Sequence, residues 1–240
     1  MSQTSPVIVA LDFSTEREAL QLVDQLVPSL CRLKVGKELF TRCGPALVKQ
    51  LVDRNFDVFL DLKFHDIPNT VAQACKAAAD LGVWMLNVHA LGGEKMMQAA
   101  RQALLETKSS SYDGPLLIAV TWLTSSGQAE LDALGIKSTP QEMVTRLASM
   151  SQNAGLHGVV CSAQEATELR KNMGDEFLLV TPGIRLADTK LSASLKDDQC
   201  RVVTPEKAIR DGASYLVIGR PITQAEDPCK VLRTINSAIG

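Results

Sequence analysis

Phe59-Leu60-Asp61-Leu62-Lys63-Phe64-His65-Asp66-Ile67-Pro68-Asn69-Thr70 reads as the end of a buried strand, a charged turn and the start of a helix. Asp61 and Lys63 are two residues apart, so along a strand they share a face. Asp66 follows at the mouth of that strand, and Pro68 suits a first helical position, where a missing N–H is no loss. Two carboxylates therefore bracket one ammonium among strongly apolar neighbours, and that calls for a reason.

Working outward, short apolar runs alternate with segments of helical periodicity along the whole chain. The predicted strands are Val7–Asp12, Arg32–Gly36, Asp57–Lys63, Trp84–His89, Leu116–Thr121, Gly158–Cys161, Phe177–Thr181 and Tyr215–Gly219. The predicted helices are Thr15–Leu26, Pro45–Arg54, Asn69–Leu81, Glu94–Glu106, Thr139–Ala154, Ala163–Met173, Pro205–Asp211 and Pro228–Ala238. Strand–helix alternation without a Gly/Ser-rich linker predicts an α/β fold, a (β/α)8 TIM barrel forming a single domain over residues 1–240. An open doubly wound sheet is the competing architecture. Ser125–Ser138 holds a short helical piece at Gln128–Leu134, and the long aperiodic segment Gly183–Val203 is expected to form a lid on the phosphate side.

The composition, 45% hydrophobic and 22% charged, is that of a globular protein with a sizeable core. With 25 basic against 27 acidic residues and no Lys/Arg-rich run, neither nucleic acid nor a membrane is an expected partner. Met1–Pro6 lacks the basic start of a signal peptide, and no run approaches the ~20 apolar residues that span a bilayer. Six scattered cysteines without a C-x-x-C pair fit reduced thiols, so a cytoplasmic location is expected.

The first strand ends in Asp12, in phase with Ile8 and Ala10; the second carries Lys34; the third ends in Asp61 and Lys63. On neighbouring barrel strands these ends meet as an Asp–Lys–Asp–Lys array closed off by Asp66. A structural ion-pair network is the plain reading of any one of these residues. Several charges gathered there are better explained as a preorganised electrostatic site, because buried ion pairs often fail to recover their desolvation cost. At the other end of the chain, Pro182-Gly183-Ile184-Arg185 and Gly219-Arg220-Pro221 follow strands seven and eight, where barrel enzymes bind phosphate.

Asp61-x-Lys63-x-x-Asp66-Ile67-Pro68-Asn69-Thr70, read with Leu11-Asp12, Lys34-Val35-Gly36, Leu123-Thr124-Ser125, Pro182-Gly183-Ile184-Arg185 and Val217-Ile218-Gly219-Arg220-Pro221-Ile222, resembles the orotidine 5′-phosphate decarboxylases of the bacterial type. The resemblance runs from about Val7 to the C-terminal helix. It implies decarboxylation of orotidine 5′-phosphate to uridine 5′-phosphate with no cofactor and no metal. By the same resemblance Lys63 protonates C6, Asp61 lies against the departing carboxylate, and Lys34 and Asp12 hold the charged network and the ribose hydroxyls. Asp66 and Thr70 would complete the site of the other subunit of a homodimer. Thr124 would bond the pyrimidine edge, and Pro182, Arg185, Gln199, Gly219 and Arg220 would line the phosphate end. The Ala187–Lys196 stretch looks longer than the family pattern, which bears on Gln199.

Two other readings remain open at this stage. Magnesium-dependent sugar-phosphate decarboxylases and aldolases of the same barrel superfamily use the Asp-x-Lys-x-x-Asp pattern around a metal, and a non-catalytic nucleotide-sensing barrel would need only the phosphate loops. His65 and His89 with Asp61 and Asp66 could suggest a metal site, but Lys63 would place a positive charge beside it. Trp84 and Trp122 are read as packing residues.

Overall fold

The computed structural model describes residues 5–107, 114–186 and 203–240. Eight parallel strands close on themselves in sequence order: β1 (Val7–Ala10), β2 (Arg32–Gly36), β3 (Val58–Phe64), β4 (Met85–His89), β5 (Leu116–Val120), β6 (Gly158–Val160), β7 (Leu178–Thr181) and β8 (Tyr215–Ile218). The closed barrel is the predicted one, and the open sheet is ruled out by the β1–β8 pairing of Val7, Ile8 and Val9 with Leu216, Val217 and Ile218.

The outer layer comprises α1 (Glu16–Val23), α2 (Lys37–Asp53), α3 (Pro68–Ala79), α4 (Glu94–Leu105), α5 (Gln128–Ala133), α6 (Pro140–Asn153), α7 (Ala163–Met173), α8 (Pro205–Arg210), α9 (Arg220–Thr223) and α10 (Pro228–Ile239). Hydroxyl caps start several of them: Thr15, Thr139 and Thr204 each accept a backbone N–H from three residues on. None of the described helices is long and apolar enough to cross a membrane.

Strand alternation divides the apolar residues into two sets. Val7, Val9, Leu33, Val35, Leu60 and Leu86 face the helices, whereas Ile8, Phe59, Met85, Ile118 and Val180 fill the barrel. At the N-terminal end Arg32 closes the interior, its guanidinium 4.4 Å from the Trp84 ring centroid and 5.1 Å from that of Tyr215, and its Nε 3.1 Å from Asp57 Oδ2. Trp84 is thus the packing residue expected. β6 and β7 come so close that a Cβ on Gly158 would lie 2.1 Å from the Leu178 carbonyl oxygen. Neither backbone can yield without opening the ladder, so Gly158→Ala is expected to destabilise the fold by at least about 3 kcal/mol in denaturant unfolding. A loss below about 1 kcal/mol would contradict this packing.

Three differences from expectation go beyond a shift of a few residues at an element's end or bear on the site. α2 begins at Lys37 rather than Pro45, because Gly44 takes a left-handed φ of 68° and joins two helical pieces across a kink before Pro45. The short α9 had no periodic pattern to betray it. β1 stops at Ala10, which leaves Asp12 on the loop beyond the strand end. The predicted lid at 183–203 lies largely outside the described residues; Gly183–Leu186 and Val203 are described, with Ile184 bridging Val203.

Candidate active site

The C-terminal mouth of the barrel opens into a cavity of about 910 Å3, a size suited to a small-molecule ligand. Its floor is apolar, built from Phe59, Val120, Val160, Val180 and Val217. The ends of β1, β2 and β3 bring Asp12, Lys34, Asp61 and Lys63 to it; the ends of β7 and β8 bring Pro182, Gly183, Arg185, Gly219 and Arg220, with Thr124 also on the lining. Nine of the predicted site residues therefore meet around one space, although they come from six different strand ends. Trp122, expected only to pack, also borders this cavity.

The charged side is a continuous chain of contacts. Asp12 Oδ1 lies 3.1 Å from Lys34 Nζ, Lys34 Nζ lies 3.5 Å from Asp61 Oδ2, and Asp61 Oδ1 accepts from Lys63 Nζ at 2.5 Å. Side-chain exposure is 70% for Asp12 but only 10% for Lys34 and 12% for Asp61, so the centre of the chain is withdrawn from water. Burial pushes the Asp61 carboxyl up, but the Lys34 ammonium, the Lys63 ammonium and hydrogen bonds from Lys63 and Asn87 outweigh it and hold Asp61 below the usual carboxylate range. Gly36 leaves room for this arrangement: a Cβ there would come within 3.2 Å of Lys34 Nζ.

Simple strand alternation fails at Lys63. Its φ is +54°, in the left-handed region that costs a non-glycine residue on the order of 1–3 kcal/mol. The β3–β4 register shifts at this point: Leu60 pairs Leu86 and Phe64 pairs Val88, so three residues of β3 oppose the single Asn87 of β4. The shared face assumed for Asp61 and Lys63 is thus replaced by a bulge, and the long lysine stem restores the ion pair.

Asn87 is the residue the sequence reading passed over. It is fully buried, its Nδ2 donates to Asp61 Oδ1 at 2.7 Å, and its Oδ1 accepts the Lys63 backbone N–H at 2.8 Å. The available signal was an asparagine inside the otherwise apolar run Met85-Leu86-Asn87-Val88, a residue type disfavoured in strands.

Asp66 and Thr70 stand apart. Both are exposed within this chain and neither lines the cavity, and the Asp66 carboxylate accepts the Ile67 N–H at 2.6 Å. Asp66 therefore does not close the array within one chain. Gln199 lies outside the described residues. The His65 and His89 rings lie 5.7 Å apart between centroids, tilted by 42°; burial first, then the positive field of His65, Lys37 and Lys63, lowers His89 to about 4.

The sequence matches the Orotidine 5'-phosphate decarboxylase / HUMPS family over residues 5–235. The chain belongs to this family. Among its relatives, the orotidine 5′-phosphate decarboxylase of Haemophilus influenzae (strain Rd) is 60% identical, aligned over 99% of this chain and 100% of that protein. That of Actinobacillus succinogenes is 59% identical over 98% of each chain. The crystal structure of orotidine 5′-phosphate decarboxylase from Lactobacillus acidophilus superposes with a TM-score of 0.87 at 39% identity, covering 98% of this chain and 99% of that one.

Proposed function

We propose that this barrel is an orotidine 5′-phosphate decarboxylase whose Lys34–Asp61–Lys63 array performs the chemistry. The reaction is decarboxylation of orotidine 5′-phosphate to uridine 5′-phosphate and carbon dioxide in pyrimidine synthesis, as named for relatives about 60% identical over nearly the whole chain. The observation that carries the mechanism is the Lys63 ammonium fixed at 2.5 Å from a buried, ionised Asp61 at the cavity wall.

In that reading the C6–carboxylate bond breaks, the electron pair stays on C6, and carbon dioxide leaves. The Lys63 ammonium stabilises the developing negative charge and gives its proton to C6, then regains one from solvent. Asp61 sets the ammonium's direction and sits against the substrate carboxylate. Lys34 neutralises the far oxygen of Asp61 at 3.5 Å and, with Asp12, reaches the ribose hydroxyls. Thr124 bonds the pyrimidine edge, and Pro182, Arg185, Gln199, Gly219 and Arg220 surround the phosphate. The Gly183 φ of 81° supports a turn that brings backbone close to an anion. No metal or cofactor has a role in these steps.

The working unit is proposed to be a homodimer in which Asp66 and Thr70 enter the partner's cavity. Their exposure supports this, as does Ile67 between them, a large apolar side chain 66% exposed. A cytoplasmic setting accords with the five free cysteines among the described residues.

The deciding assay follows the ultraviolet absorbance of orotidine 5′-phosphate mixed with the protein and a chelator. Turnover unaffected by chelator is expected. Absence of turnover, or turnover that returns only with magnesium, would favour the sugar-phosphate branch of the family instead.

A further inference from the structure

We infer that Asn87 is a positioning residue that sets where the Lys63 ammonium stands. This rests on the proposed role of Lys63 as proton donor. One carboxamide spans the β3 bulge: its N–H group holds Asp61 Oδ1 and its carbonyl oxygen holds the Lys63 backbone N–H, at 2.7 and 2.8 Å.

The two bonds act on the two ends of one ion pair. The carbonyl oxygen anchors the main chain where Lys63 is left-handed, so it fixes the origin of the side chain. The N–H group anchors the same carboxylate oxygen that receives Lys63 Nζ, so it fixes the far end. The groups around the carboxamide are Asp61 and Lys63 from β3, Lys34 behind Asp61, and His89 two residues along β4; on the other side its β5 partner in the ladder is the apolar Ile118. A carboxamide donates and accepts at once from two separate atoms without adding charge to this cluster. Leucine or valine would fit the strand better and leave both ends of the pair unheld.

Asn87 does not border the cavity, so its loss should not reach the phosphate loops or the pyrimidine edge. Asn87→Ala is expected to lower kcat by at least about 100-fold, the scale of an ångström-sized misplacement, with KM within about threefold. The affinity for uridine 5′-phosphate, measured by calorimetry, should change by less than about threefold, because the phosphate loops are intact. Asn87→Ser, whose hydroxyl is too short to span both partners, serves if the alanine variant does not fold and should show the same split.

The second arm is a double-mutant cycle. In a Lys63→Ala background, whose residual rate no longer depends on the Lys63 ammonium, Asn87→Ala should cost less than about threefold. A folded Asn87 variant with near-native kcat would overturn the inference. So would a parallel loss of kcat and uridine 5′-phosphate affinity, or an undiminished penalty in the Lys63→Ala background. A near-native Lys63→Ala enzyme would instead remove the parent reading.

Discussion

Lys63→Ala is expected to leave the barrel folded and to lower kcat/KM by at least about 10⁴-fold, the combined scale of a lost general acid and a lost electrostatic stabiliser. The fold should survive for three reasons. The Lys63 side chain lines the cavity rather than the core. Alanine in the left-handed conformation is strained to much the same degree as lysine, so the backbone gains no new penalty. Asp61 is not abandoned as a buried charge, since Lys34 remains 3.5 Å from Oδ2 and Asn87 still donates to Oδ1. The chemistry has no such substitute, because Lys34 is already paired with Asp12 and Asp61. Steady-state rates and thermal unfolding together check this. A folded variant within tenfold of the native rate would remove Lys63 as proton donor.

Mixing Lys63→Ala with Asp66→Asn subunits is expected to recover activity that neither variant has alone. If Asp66 serves the partner's site, a hybrid dimer holds one site with both substitutions and one with neither. Random exchange of equal amounts makes half the dimers hybrids, so recovery should approach about a quarter of native activity. The geometry motivating this is the separation of Asp66 from its own cavity, on an exposed stretch that also presents Ile67 to solvent. Subunit exchange must be shown independently, for instance by differently tagged chains. Demonstrated exchange with no recovered activity would place Asp66 in the site of its own chain and end the shared-site proposal.

Much of the barrel was legible because its signals are local. Strands buried on both faces read as short apolar runs, and hydroxyl caps such as Thr15 and Thr204 stand immediately before their helices. The kink in α2 was less legible: Gly44-Pro45 reads equally well as a helix start, and only the left-handed Gly44 shows that helix lies on both sides of it. Lys63 was found, but its conformation was misjudged, since period-two alternation presumes an unbroken ladder. Asp66 was assigned to the array by proximity in sequence, and the chain reversal after β3 carries it out to the surface instead.

The sequence by itself determined the order of the strands and of the helices other than α9, the charges at the ends of β1, β2 and β3, and the arginines after β7 and β8, because each is set by periodicity or by residue type within a few positions. Only the tertiary structure decided which groups meet. Asn87 bonds partners 24 and 26 residues away, and its burial has meaning only once β4 lies beside the bulge of β3. Barrel closure then brings β8 against β1 and sets Gly219 near Asp12, joining the phosphate end of the site to the charged end across almost the whole length of the chain. Such contacts are fixed by strand register and by the geometry of a closed sheet, which no local run of residues encodes.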